Sequence, residues 1–229
     1  TSSTISATVS LTANKRDANF NVADGAVTQD LVVSGTITGG NTSDVTVNGA
    51  GTLAATGNNT YGGITTVNDT ATLIMSGTNS TTDVIVTTNA TLSGAGSVAG
   101  ELNLSGTLDG SFSVGTNSSL LASSVWQVDL TSNGVNEALD TTGTLDAAGM
   151  IAINLGYTAS NGDSFDIADF ASFTDSGYSF DFSNASLDSG LSWDTSNYST
   201  DGTITVVPEP SSALLFGFGS LALIARRRR

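Results

Sequence analysis

The sequence has 229 residues, contains neither cysteine nor histidine, and carries a formal net charge of −15 at pH 7. This length allows one or two domains, and the missing residue types exclude a disulfide framework, a Ser-His-Asp triad, a thiol nucleophile and an ordinary zinc site. Four of the six basic residues close the sequence, so residues 1–225 have a net charge of −19 and are expected to repel nucleic acid. Because Walker and dinucleotide glycine patterns are missing as well, we expect no cofactor.

The first 20 residues are rich in serine and threonine and alternate over short stretches, which predicts an edge strand or a cap. The sequence opens at Thr1 without a methionine or an apolar run. We infer that an export signal was removed or that the sequence is a fragment.

Internal repeats determine the predicted architecture. Val45–Leu53 aligns with Thr65–Leu73 and again with Val84–Leu92, and the closing leucines recur after 20 and then 19 residues. Shorter versions flank them at Val33–Ile37 and Leu104–Leu108. Each unit contains an alternating strand, a turn of glycine, asparagine or aspartate, and a second short strand.

One such unit cannot bury its apolar face alone, whereas units stacked at a constant period share a continuous core. The repeats therefore predict an all-β protein that begins with a parallel β-helix or similar β-solenoid over residues 1–108. Asparagine and threonine at equivalent positions are expected to form ladders along the stack. The alignment places one apolar column at Val47, Val67 and Val86, and another at Leu53, Leu73 and Leu92.

The stretch Gly49–Val67 contains Gly57-Asn58-Asn59-Thr60-Tyr61 followed by Gly62-Gly63. It resembles the autotransporter-associated β-strand repeat, with good coverage from about Asn19 to Leu108. The resemblance implies a stacked β architecture and does not imply self-secretion.

Residues 109–206 change in character, because most aromatic residues of the chain lie there. Alternation in Tyr178–Phe182 predicts that one aromatic face points inward. We interpret this region as a β-rich C-terminal section, a second stack or sandwich that closes the solenoid. Its last strand, Thr203–Val207, is expected to lead directly into the tail.

Three aspartates in this section, Asp163, Asp166 and Asp169, are the candidates for a carboxylate-dependent hydrolase. Strand alternation would place Asp163 and Asp169 on one face and Asp166 on the other. We favour solvated aspartates that flank buried Phe165 and Ile167, and therefore predict no catalytic residue. Neither the EF-hand pattern nor the calcium-binding nonapeptide occurs, so we predict no metal site either.

Residues 207–229 have three zones. Pro208, Glu209 and Pro210 form an extended segment, because each proline fixes φ and disfavours the α region for the residue before it. Residues 211–225 follow as a single hydrophobic helix of about 22 Å, against roughly 30 Å of bilayer hydrocarbon. The last zone stops transfer across the membrane, and it consists of Arg226, Arg227, Arg228 and Arg229.

These zones, in this order, resemble the PEP-CTERM sorting signal of Gram-negative bacteria. The resemblance implies an exported protein that is held transiently in the inner membrane until an exosortase-type protease processes it near the motif. Its final place would be the cell surface or the extracellular matrix.

We therefore expect a non-enzymatic structural protein, with exopolysaccharide as a candidate partner. An adhesin that binds a glycan or another partner through the solenoid face is the first alternative. A carboxylate-dependent polysaccharide-degrading enzyme is the second.

Overall fold

The computed structural model describes residues 1–11, 17–79 and 83–209. The first strands are β1 (Ser3–Ile5), β2 (Val9–Leu11), β3 (Ala18–Val22), β4 (Leu31–Val33), β5 (Ile37–Gly39), β6 (Val45–Gly49), β7 (Thr52–Ala55), β8 (Thr65–Val67), β9 (Thr72–Met75), β10 (Thr78–Asn79), β11 (Asp83–Val86) and β12 (Thr91–Val98). They are followed by β13 (Glu101–Leu104), β14 (Thr107–Val114), β15 (Ser118–Leu120), β16 (Val125–Ser132), β17 (Val135–Asn136), β18 (Leu139–Ala147), β19 (Met150–Leu155), β20 (Ser164–Asp166), β21 (Ala168–Asp175), β22 (Ser179–Asn184), β23 (Leu191–Asp194), α1 (Tyr198–Asp201) and β24 (Thr203–Pro208).

Three parallel ladders run along the stack, and the chain passes through them in the same order turn after turn. Ladder A joins β3, β6, β8, β11, β13, β15 and the second halves of β18 and β21. Ladder B joins β1, β4, β7, β9, β12, β14, β16, β19 and β22. Ladder C contains β2 and β5, then an isolated bridge between Asn59 and Asn79, then β10, β12, β14, β18 and β21. This winding is that of a parallel β-helix, and the predicted all-β class is confirmed.

Both predicted apolar columns are present. In ladder A, Val67 is the register partner of Val47 on one side and of Val86 on the other. In ladder B, Leu73 is the partner of both Leu53 and Leu92 in the same way. All these side chains are at most 2% exposed. Their alignment follows from the parallel register, which sets equivalent residues of successive coils directly above one another.

The turns between ladders A and B explain the Asn and Asp residues of the repeat. Asp69 and Asn89 occupy equivalent turns and have positive φ values of 58° and 72°. Asn and Asp tolerate this left-handed conformation better than other residues with a Cβ. The turns place Ala71 and Ala90, both fully buried, before the next strand.

One part of the repeat alignment is wrong. The short version Val33–Ile37 implies that Ile37 is equivalent to the closing leucines, but Ile37 lies in ladder C, where it pairs with Val9. The partner of Leu53 in ladder B is Leu31. The first coils contain longer connections than the central ones, so the 16-residue spacing between Ile37 and Leu53 does not correspond to one turn.

The change of sequence character at residue 108 does not interrupt the stack. Strand β14 spans this position and pairs with β12 before it and with β16 and β18 after it. Parallel pairing then continues to β22. The last part of the body changes architecture, because β20, β24 and β23 form a separate antiparallel sheet.

This antiparallel sheet and α1 close the C-terminal end of the stack, and we call them the cap. Tyr198 of α1 is fully buried, and its ring packs against those of Phe173, Tyr178 and Phe180. Gly202 ends the helix with a φ of 76°, and a Cβ there would lie 1.6 Å from the carbonyl oxygen of Ala168. Only glycine allows this close approach. Tyr178, Phe180 and Phe182 are partly buried and pack against the core, which confirms the inward aromatic face predicted for residues 178–182.

Polar side chains add a second set of contacts between coils. The amide of Asn48 donates to Asn19 at 2.6 Å, and that of Asn68 donates to Asn48 at 3.1 Å. A second row of side-chain hydrogen bonds lies near the C-terminal end of the stack. There the amide of Asn154 donates to Asp129 at 2.9 Å, and that of Asn184 donates to Asn154 at 3.1 Å. The predicted ladders are confirmed for asparagine.

The residues that carry the repeat resemblance have specific structural roles. Asn59 accepts a hydrogen bond from the backbone N–H of Ile37 at 2.9 Å, and buried Tyr61 is hydrogen-bonded to Thr65 at 2.6 Å. Gly63 lies so close to the previous coil that a Cβ would come within 2.3 Å of the carbonyl oxygen of Ser43. The motif thus joins consecutive coils at the corner between ladders C and A.

The columns predict that a core leucine stabilises its neighbours above and below. Replacing Leu73 with alanine should lower the free energy of unfolding by about 2 to 5 kcal/mol, because it leaves a cavity in the middle of a column. Urea unfolding measures this loss, and hydrogen exchange should show the largest increase in the two adjacent coils. The control is Thr72→Ala, since Thr72 is partly exposed on the outer face. Equal losses for the two variants would contradict the column.

Candidate functional site at the C-terminal cap

The last strand of the body, β24, leads directly into the predicted sorting motif. It lies between β20 and β23, and its last residue, Pro208, is opposite Leu191. The backbone N–H of Glu209 donates to the carbonyl oxygen of Gly190 at 2.9 Å. Pro208 has no N–H to donate and stands at the end of its strand, where this loss is tolerated. The prediction that the last strand continues into the motif is confirmed, and the strand is one residue longer than predicted.

The described part of the motif is extended and exposed, as predicted. Pro208 and Glu209 are both exposed, whereas Val207 before them is partly buried. Pro210, the predicted apolar helix over 211–225 and Arg226–Arg229 lie outside the described residues. Within the part of the chain that the structure describes, no helix has the length and apolarity to cross a membrane.

Strand β24 is anchored in the core immediately before the motif. Ile204 and Val206 are fully buried, and so is Phe165 on the neighbouring strand β20. Val206 donates its N–H to the carbonyl oxygen of Asp163 and accepts from the N–H of Gly162, both at 2.9 Å. Beyond Val206, the described pairing of β24 is with β23 alone. The motif therefore begins where the strand changes from two paired edges to one.

The structure does not place the three candidate aspartates as the alternation predicted. Asp163 is buried, whereas Asp166 and Asp169 are both exposed, so the predicted pairing of Asp163 with Asp169 on one face is wrong. The reason is a break between β20 and β21, where Ile167 and Ala168 are both buried in succession. The strand alternation does not continue across such a break.

Asp163 has a structural role in the loop that precedes β20. Its carboxylate accepts hydrogen bonds from the hydroxyl of Tyr157 at 2.7 Å and from the backbone N–H of Ser160 at 2.8 Å. Burial raises the pKa of the Tyr157 hydroxyl, and the hydrogen bond to the Asp163 carboxylate raises it further. The expectation of solvated aspartates beside buried Phe165 and Ile167 is therefore wrong for Asp163, although Asp166 and Asp169 are exposed as expected.

The exposed aspartates belong to an acidic patch that sequence reasoning missed. Asp169 is the register partner of Asp140 on β18, and both line an open groove of about 380 Å³. Burial raises the pKa of Asp140, and the charge of Asp169 adds to the rise. Although the Asp166 side chain is exposed, partial desolvation by the surrounding protein raises its pKa, and the charges of Asp169, Asp140 and Asp201 raise it further. The parallel pairing of β18 with β21 brings these residues together, and no local pattern indicates that pairing.

This patch is where the enzymatic alternative would have to act. Glycoside hydrolysis needs two carboxylates, one protonated and one ionised, and neighbouring carboxylates with raised pKa values can differ in this way. As a separate finding, residues 1–11, 17–79 and 83–209 contain no group of three or more acidic, histidine or cysteine side chains placed to hold a metal ion.

Aromatic residues of β22 and of the cap pack on one another where the two meet. Phe182 stacks on Phe180 with ring centroids 5.4 Å apart and on Trp193 with centroids 5.2 Å apart. The indole N–H of Trp193 donates to the carbonyl oxygen of Ala185 at 2.9 Å. Since a sugar stacks on an open ring face, two faces of Phe182 covered by other rings do not offer a platform for a glycan.

Comparison with protein families gives a match over the end of β24 and the tail. Residues 206–229 match the model of the PEP-CTERM protein-sorting motif. The chain carries a PEP-CTERM sorting motif. This motif indicates an exported protein that is sorted through an exosortase. The search of curated proteins gave no match. The resemblance of Gly49–Val67 to the autotransporter-associated repeat remains an interpretation of the sequence.

The acidic patch predicts a pH dependence of stability. Asp140 and Asp166 have raised pKa values in the folded protein, so between the unfolded and folded values the folded state binds more protons. The patch's contribution to the free energy of unfolding therefore falls as the pH rises through this window, which begins at about 3.9.

Replacing Asp169 with asparagine should remove the repulsion between its carboxylate and those of Asp140 and Asp166. We expect the free energy of unfolding at neutral pH to rise by about 0.2 to 1 kcal/mol, the range for a cross-strand charge pair. Urea unfolding between about pH 4 and pH 7 measures it, and the gain should shrink at the acidic end. Asp24→Asn, at an exposed position outside the patch, controls for the change in net charge. A gain no larger than that of the control would contradict the proposed repulsion.

Proposed function

We propose that the protein is a non-enzymatic structural component of the cell surface or extracellular matrix. Its tail holds it in the inner membrane after export, until an exosortase-type protease processes it near Pro208, Glu209 and Pro210. The observation that carries this proposal is the direct continuation of a core strand into the sorting motif, with Val206 buried and Pro208 exposed. This arrangement places the side chains of Pro208 and Glu209 at the surface of an already folded body.

The contacts of the body support a structural role. Asparagine side chains and carboxylates join one coil to the next. For example, Asp30 accepts from the backbone N–H of Thr52 at 2.8 Å, and Asp44 accepts from that of Ile64 at 2.9 Å. Such side chains are engaged within the stack, where they stabilise the contacts between coils. The many exposed serine and threonine residues of the described chain make exopolysaccharide a suitable neighbour at the surface.

The two alternatives have less support. An adhesin for glycans would need open aromatic faces, and the rings of Phe180, Phe182 and Trp193 stack on one another. A polysaccharide-degrading enzyme would depend on Asp140 and Asp169. Cleavage of an acidic polysaccharide by the purified protein, lost on changing both residues to asparagine, would replace the structural proposal.

Changing Pro208, Glu209 and Pro210 to alanine tests the sorting step. The variant should accumulate at full length in the inner membrane, because the protease no longer finds its motif, whereas the unchanged protein should reach the surface in a shorter form. Immunoblots of inner-membrane and surface fractions, in a bacterium that has an exosortase, measure both forms. The control carries alanine at Asn21, Asp24 and Thr28, three exposed positions near the opposite end of the stack. If the motif variant is processed as well as this control, the proposed sorting role is wrong.

A further inference from the structure

The sorting motif is partly covered by its own body. Two register pairs join the end of β24 to β23, namely Val207 with Ser192 and Pro208 with Leu191. A third contact follows directly, because the N–H of Glu209 donates to the carbonyl oxygen of Gly190, the residue before β23. The matched sorting region begins at Val206, so it overlaps the folded strand. A protease binds its substrate as an extended chain with free backbone groups, and here one edge of that chain is already occupied.

We propose that β23 masks the sorting motif, and that processing requires residues 207–209 to separate from residues 190–192. This inference rests on the proposed function, since it concerns the step that an exosortase would perform.

The local energetics favour an opening of this size. Pro208 and Glu209 are exposed and Val207 is only partly buried, so separating them from β23 exposes little apolar surface. Opening one residue further would expose Val206, which is fully buried and paired on both edges. Strand ends without a buried side chain open locally at low cost, whereas core positions open only with larger units. The opening therefore stops at Val206, and cleavage is expected on its C-terminal side.

A disulfide across the last pairs tests the proposal directly. Cysteines at Ser192 and Val207 would face each other in an antiparallel register, and the chain has no other cysteine. The Cα spacing of such a pair suits a disulfide, which forms readily in an exported protein. The Ser192→Cys/Val207→Cys protein should be processed more slowly than the unchanged protein in a pulse-chase experiment. Treatment of isolated membranes with dithiothreitol should restore the rate.

A linker provides the opposite change. Inserting Gly-Ser-Gly-Ser between Val207 and Pro208 frees the motif from β23 and leaves the buried part of β24 intact. Processing should become faster by about 2- to 10-fold, the factor expected when one strand-end hydrogen bond no longer has to open. The same insertion at Gly134, in the exposed turn between β16 and β17, is the matched control and should leave the rate unchanged.

The outcomes separate this proposal from the one on which it rests. If the unchanged protein is never processed, the proposed function fails and the masking fails with it. If the unchanged, disulfide and linker proteins are all processed at the same rate, only the proposal that β23 masks the motif is wrong. The protease would then bind the open edge of the strand. The two single-cysteine variants must behave like the unchanged protein, and a reduced double-cysteine protein with unaltered thermal unfolding shows that the cap remains folded.

Discussion

The parallel register between coils is the constraint on which the rest of this structure depends. It sets equivalent residues above one another, so that a single leucine per coil becomes a continuous column from Leu31 through Leu73 and Leu108. The same column continues as Trp126 and Ile151 where the repeat is no longer recognisable in the sequence. Each coil is too small to bury an apolar face alone, and it gains stability only from the coils on either side. A local defect should therefore weaken its neighbours before it affects distant coils.

This register also explains how so acidic a chain folds. Aspartates that face the next coil accept backbone hydrogen bonds there, as Asp83 does from Glu101 at 3.0 Å, and such bonds to a charged acceptor are stronger than neutral ones. The same stacking also places like charges on adjacent strands, as with the register partners Asp140 and Asp169. The acidic patch is thus a local cost of a geometry that is favourable along most of the stack.

The sequence allowed prediction of those features that repeat or that are encoded locally. The columns at Val67 and Leu73, the turns at Asp69 and Asn89 and the strand that enters the sorting motif all have local signatures. Features that depend on pairing between distant segments could not be predicted. The burial of Asp163 accompanies the pairing of its backbone with distant Val206, and the acidic patch depends on which strand follows β18 in its ladder. The pairing of Glu209 with Gly190 likewise joins two loops whose sequences show no relation.

The central claim is that this β-helix is an exported body released from a sorting tail at the end of its last strand. Mass spectrometry of the C-terminal peptide of the surface protein, isolated from a host with an exosortase, tests it most directly. The account predicts a C-terminus on the C-terminal side of Val206 and before the arginines, which leaves the buried residues of β24 in the mature protein. An intact tail through Arg229 on the surface protein would contradict the claim and leave a simple membrane anchor.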